Sequence, residues 1–218
     1  VVELGTVNRT TLREQVLAQL REGILGGSIA PGTKMAEVDL AAQFGVSRGT
    51  VREALRVLHQ GGLLEGEERL SLRVRKLSSR EITELFNVRA ALEGQAVRDI
   101  LANPRRGELI DDLERHLPEV DAGVPYAARF DIDLAFHETL CRLGGNSMLL
   151  TLWQSVKDLM HLAVATSEDE EATQLMSKAH HQPIVDALRV GDPDAAWGVL
   201  RDHMSGAALA WAARADQG

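Results

Sequence analysis

The chain has 218 residues, 44% hydrophobic and 26% charged, which excludes disorder over most of its length and allows one large domain or two small ones. A single cysteine, Cys141, excludes an internal disulfide and a cysteine-rich zinc site, and no apolar run approaches the ~20 residues that cross a bilayer. The net charge of −8 is unevenly spread: residues 1–76 hold 11 basic and 9 acidic residues, and the remainder 13 and 23. A front of net +2 joined to a back of net −10 implies two modules with different partners. The opening residues lack the basic-then-apolar pattern of a signal peptide, so a reducing cytoplasm is the expected compartment. A start at Val1 rather than Met is expected to reflect processing or trimming.

Residues 11–25 place Leu12, Val16, Leu20 and Ile24 on one face at helical spacing. Gly26, Gly27, Pro31 and Gly32 break that helix. A short second helix fits Glu37–Phe44, closed by Gly45. Ser47 is a suitable N-cap for a third helix running to about Gln60, where Gly61 and Gly62 end it. Partial alternation from Leu63 to Leu77 predicts a small strand pair. Beyond Ser78 and Ser79 the pattern is wholly helical. Six helices are expected, over about 80–102, 105–121, 125–143, 146–166, 169–190 and 193–215, an all-α antiparallel bundle of about 140 residues. The domain reading is 1–76 and 80–218, with 77–79 as linker.

Helix, turn, helix is the order of Glu37–Phe44, Gly45–Ser47 and Arg48–Gln60. In the third helix Val51, Ala54, Leu55 and Leu58 form the face to be buried, which turns Arg48, Arg52 and Arg56 outward at i, i+4, i+8. Arginine forks take guanine O6 and N7 together or clamp phosphates, and a helix N-terminus favours a phosphate. A solvated arginine-rich surface helix is the other reading of that row. A strand pair following the helices favours a winged helix-turn-helix. The segment GILGGSIAPGTKMAEVDLAAQFGVSRGTVREALRVLHQGGLL closely resembles the N-terminal domain of the GntR family of bacterial transcription regulators, filling almost every fixed position over more than forty residues. The resemblance implies that Arg48 and Arg52 contact operator bases and phosphates, with Ser47, Gly49 and Thr50 nearby. Two departures stand out. Gly49 replaces a more usual Thr or Pro, and the wing, EGEERLSLR over residues 65–73, lacks the usual glycine at its tip and carries three acids. Minor-groove contact through that wing is not expected.

In the back module Asp133 and His137 share one helix face at i, i+4, while His181 and His203 lie on later helices. One carboxylate and three imidazoles meeting in a bundle bind a divalent metal; surface or structural histidines are the alternative. The segments DLAFHETL, GGNSML and AHHQPIVDALRVGDPDAAWGVLRDHM resemble the FCD ligand-binding domain of the FadR-type branch of GntR regulators, so that the likeness covers essentially the whole chain. It implies Asp133, His137, His181 and His203 as metal ligands, and six helices place the chain nearer the VanR-like subgroup. His180 stands where the family usually has Glu, as a competing ligand or a supporting group. In such domains the metal helps hold an organic-acid effector and an arginine meets the acid. Arg89, in NVRAALEGQAVR, matches that arginine; a surface pair with Glu93 at i+4 is its other reading. Arg142 and Asn146 are weaker candidates for the effector site.

Enzyme readings find little support in the motifs. His137-Glu138 begins a zinc-protease helix, but Cys141 occupies the position of the second histidine. No G-x-S-x-G, P-loop or G-x-G-x-x-G occurs. The expectation is therefore a mostly α, non-enzymatic, dimeric regulator with a palindromic operator, no membrane partner, a small organic acid as effector, and zinc, or else manganese, nickel or iron, as metal. A metal-dependent enzyme acting on a small carboxylate through the back domain is the alternative.

Overall fold

The computed structural model describes residues 11–67, 71–119, 123–164 and 170–215, and divides the chain into two units, Val1–Lys76 and Leu77–Gly218. The front unit begins with α1 (Leu12–Leu25), opened by a capping box in which Thr11 and Glu14 satisfy each other's backbone N–H. Val16, Leu20 and Ile24 of α1 are buried, whereas Leu12, expected on the same face, is 60% exposed. Then come α2 (Glu37–Phe44), which ends on Gly45 in the left-handed region (φ 65°), and α3 (Arg48–Gln60), capped by Ser47. Helix α3 packs against both α1 and α2 through Val51, Ala54, Leu55 and Leu58.

The strand pair is shorter than its sequence signal. Strand β1 (Leu64–Glu65) pairs antiparallel with β2 (Arg73–Val74), Leu64 opposite Val74. A third segment, missed in the sequence, completes this small sheet: Lys34 bridges Arg73, Val74 N–H donates to Thr33 O at 2.9 Å and Met35 N–H to Leu72 O at 2.8 Å. The wing is thereby tied to the turn that follows α1. Gly66 opens the wing at φ 108°, where a Cβ would lie 2.4 Å from Ser71 O, so only glycine fits. The wing tip, residues 68–70, lies outside the described residues.

The back unit comprises α4 (Ser79–Ala102), α5 (Arg106–Glu114), α6 (Tyr126–Leu143), α7 (Ser147–Val164), α8 (Glu170–Leu175), α9 (Lys178–Val190) and α10 (Pro193–Ala215). Two expectations are corrected here. Ser78 and Ser79, read as linker, are the N-cap and first residue of α4, with Ser78 and Glu81 forming a capping box. The run 169–190, read as one helix, is two: Ser177 accepts the His180 N–H and starts α9 afresh, since a serine hydroxyl competes for backbone donors. Helix count therefore gives no support to the shorter subgroup. Among the described residues no helix is long and apolar enough to cross a membrane.

Helix α4 is the axis of this unit, packed against α10, α6, α7 and α5. Its buried stripe runs Ile82, Phe86, Arg89, Glu93, Val97, Ile100, so two charged residues sit in an otherwise apolar seam. Close approach of α10 is permitted by Gly94: a Cβ there would meet Trp197 Cζ3 at 2.1 Å. Gly94→Val is accordingly expected to lower stability by about 1–3 kcal/mol through overpacking. Chemical denaturation of the full chain checks this, and an unchanged midpoint would mean the Trp197 ring swings away at no cost.

Candidate functional site

Among the described residues of the back unit, three helices deliver four polar side chains to one cluster. Asp133 and His137 come from α6, one turn apart, His181 from α9 and His203 from α10. The imidazoles of His137, His181 and His203 each offer a nitrogen within 4.8 Å of the others. His137 Nε2 lies 3.1 Å from His181 Nε2, which is 2.9 Å from Asp133 Oδ1. His137 and His181 are fully buried and Phe136 packs edge-on against both rings. The structure thus brings together the three histidines singled out as metal ligands and joins Asp133 to them through His181.

Helix α4 supplies the surrounding charges. Arg89 does pair with Glu93, as its other reading expects, but inside the protein: Nε–H donates to Glu93 Oε1 at 2.7 Å and both side chains are buried. Arg89 Nη2 lies 3.8 Å from Asp133 Oδ2 and is buried without a hydrogen-bond partner. Glu93 Oε2 accepts from His137 Nδ1 at 2.6 Å, and Glu93 Oε1 also accepts the Trp153 indole N–H from α7 at 3.0 Å. On α9, His181 Nδ1–H donates to Ser177 O at 2.8 Å. With both Nδ1 atoms donating, the two Nε2 atoms are the ones turned toward each other.

Burial pushes His137 well below its ordinary imidazole value, and the Arg89 cation pushes the same way. His203 is likewise held well down by burial and by its imidazole neighbours. Burial alone would raise the Asp133 carboxyl, but the His181 hydrogen bond and the nearby positive charge leave it below its usual value. His180 is not one of the three converging imidazoles: its ring stacks on His203 at 4.5 Å, and its buried Nε2 is unpartnered.

Other candidates fall elsewhere. Arg142 is half-exposed and pairs with Asp112 at 3.8 Å, because five residues beyond His137 is about 140° around the helix. Asn146 caps α7, its Oδ1 accepting the Leu149 N–H at 3.1 Å. Glu138 reaches Lys157 and Gln154 on α7 rather than the cluster, and burial drives the Cys141 thiol upward, away from thiolate chemistry. Glu93 and Trp153 are the residues that the motif reading missed.

In the front unit Ser47 and Thr50 close the start of α3, Thr50 N–H donating to Ser47 Oγ at 3.1 Å, while Arg48, Gly49 and Arg52 are exposed. Arg52 is not a free fork. Its Nε–H and Nη2–H both donate to the Glu37 carboxylate at 2.8 Å, and Arg48 approaches the same carboxylate at 3.9 Å. Those arginines hold the Glu37 carboxyl below its ordinary value, the Arg52 hydrogen bonds contributing most. Arg56 pairs with Glu53 at 2.9 Å. With Leu55 and Leu72, these side chains line a depression of about 470 Å³.

Comparison with known proteins gives two family matches: "Bacterial regulatory proteins, gntR family" over residues 12–74 and "FCD domain" over residues 84–206. A relative from Paenarthrobacter nicotinovorans, described as "Probable D-xylose utilization operon transcriptional repressor", is 33% identical over 91% of this chain and 88% of its own. A "Gluconate operon transcriptional repressor" of Bacillus licheniformis is 30% identical over 86% of this chain and 80% of its own. Among solved structures, a GntR transcriptional regulator from Rhodococcus sp. RHA1 superposes with a TM-score of 0.68 at 25% identity, covering 91% of this chain and 96% of that one.

Proposed function

The chain belongs to the GntR family of bacterial transcription regulators with an FCD domain, and from that premise we propose that its back unit binds a divalent metal and a small organic acid that together set operator affinity. The observation that carries this reading is the convergence of three imidazoles: His137, His181 and His203 each offer a nitrogen within 4.8 Å of the others, and Asp133 Oδ1 lies 2.9 Å from His181 Nε2. Imidazole and carboxylate groups gathered away from water need a compensating partner, and a divalent cation supplies one.

The donor set fits such an ion. Two nitrogen ligands of one zinc, each at about 2.1 Å, stand about 3.0–3.4 Å apart, and the Nε2 atoms of His137 and His181 are 3.1 Å apart. Asp133, His137, His181 and His203 would hold the ion, which would supply a positive centre for an oxyanion. Three imidazoles and a carboxylate suit zinc, with manganese, nickel or iron as the other candidates. The ion and Arg89 together would give an organic carboxylate two positive partners. Arg89 Nη2, buried with no hydrogen-bond partner and 3.8 Å from Asp133 Oδ2, is the group that would meet it. The gluconate named in one relative's operon is a hydroxy-acid of this class.

In the front unit the proposed reader is α3, with Arg48, Arg52, Ser47, Gly49 and Thr50 at or near DNA. As a homodimer the protein would place two such helices on a palindromic operator, and the acid would act through differential affinity for two arrangements of the assembly. The test combines two readouts on the full chain. Chelator is expected to lower the melting temperature, and organic acids to raise it only when metal is present. The same acids should change anisotropy of the chain on DNA flanking its own gene. Stabilisation by metal with no response to any acid would leave the metal a structural role and overturn the effector reading.

A further inference from the structure

Glu93 is fully buried in the middle of α4 and takes hydrogen bonds from three helices. Oε1 receives Arg89 Nε–H from α4 and Trp153 Nε1–H from α7, at 2.7 and 3.0 Å; Oε2 receives His137 Nδ1–H from α6, at 2.6 Å. A carboxylate oxygen that accepts at this position keeps the His137 proton on Nδ1 and leaves Nε2 with its lone pair. That Nε2 is the atom facing His181. On its other side the bond to Nε anchors the Arg89 guanidinium, whose unpartnered Nη2 points toward Asp133, 3.8 Å away. We infer that Glu93 is a positioning residue which, through one carboxylate, aims His137 at the metal and Arg89 at the acid, and so links the two ligands.

This rests on the metal and acid reading above. A packing role alone would be met equally by glutamine, which has the same shape. Its amide oxygen could still accept from Arg89 and Trp153, but its NH2 would face His137 Nδ1 and require a lone pair there. The proton of His137 would move to Nε2, where it blocks metal ligation.

The experiment uses the full chain, wild type and Glu93→Gln, with Zn2+ alone as probe. Zn2+ affinity is measured against a competing chelator, and the His137 ring nitrogens, the Arg89 Nε–H and the Trp153 indole N–H are followed by nitrogen-15 NMR. In the wild type the metal-free His137 is expected to carry its proton on Nδ1. Zn2+ should then shift the Arg89 and Trp153 signals although neither is a ligand. In Glu93→Gln the proton should lie on Nε2, Zn2+ affinity should fall about 10–100-fold, and the Arg89 and Trp153 shifts should vanish. Equal Zn2+ affinity and an unchanged His137 tautomer in Glu93→Gln would overturn the inference while leaving the metal reading intact. No Zn2+ binding by the wild type would overturn both. Should the variant fail to fold, a wild-type His137 protonated on Nε2 without metal would still overturn it.

Discussion

Replacing His181 by alanine is expected to weaken Zn2+ binding about 10²–10³-fold without unfolding either unit. Structural zinc in small domains contributes about 10–16 kcal/mol over four ligands, so one ligand's share is roughly 2.5–4 kcal/mol. His181 is also the hub of the cluster, since its Nε2 contacts both His137 Nε2 and Asp133 Oδ1. Its loss does not strand Asp133, because Arg89 remains 3.8 Å from that carboxylate. The fold should survive because α9 keeps an apolar anchor in Ile184, Val185 and Leu188, all buried. Competition with a chelator gives the affinity, and circular dichroism with thermal unfolding reports the fold. His180→Ala is the companion variant. Its ring stacks on His203 and lies outside the three converging imidazoles, so Zn2+ affinity should stay near wild type. Full occupancy at wild-type affinity in His181→Ala would remove His181 from the ligand set. A collapse of affinity in His180→Ala with His181→Ala unaffected would put His180 in its place.

The parts of this protein legible in its sequence are those set by local chemistry. The bounds of α2 and α3 match their expectation because Gly45, Ser47 and Gly61 are stop and start signals that act within a few residues. The pairing of Thr33–Met35 with β2 was not legible, since nothing near residue 33 announces a partner some forty residues away. The split between α8 and α9 rests on one serine hydroxyl inside a run that otherwise reads as helical. At the cluster, the i, i+4 spacing of Asp133 and His137 is visible, but the meeting of α6, α9 and α10 depends on packing that spacing does not encode. The resemblance to FCD domains supplied it. Glu93 carried an unread signal: with Ile82, Phe86, Val97 and Ile100 at helical spacing, positions 89 and 93 fall on the apolar stripe, where a charged pair must be buried. Read as a surface pair, the same two residues give no sign of the buried histidine cluster they adjoin.

Arg52→Ala is expected to weaken binding to DNA flanking the protein's own gene by about 5–150-fold at matched salt, the range for loss of one base-reading arginine. Two nitrogens of Arg52 are held by Glu37 in the free protein, so DNA must share that guanidinium with Glu37 or displace it. Removing Arg52 therefore also uncovers a carboxylate beside the recognition helix, and a bare carboxylate repels phosphate. Glu37→Gln separates the two effects, because it keeps a hydrogen-bonding side chain near Arg52 while discharging it. The loss caused by Arg52→Ala should be smaller in the Glu37→Gln background, and the difference is the share due to the uncovered charge. Fluorescence anisotropy over a salt series, on the flanking DNA and on a random duplex, distinguishes the kind of contact. A base contact concentrates the loss on the specific duplex, whereas a phosphate contact weakens both duplexes alike and lowers the salt slope by about 1. Affinity unchanged on both duplexes at every salt would take Arg52 out of the interface and leave Arg48 and the N-terminus of α3 to carry it.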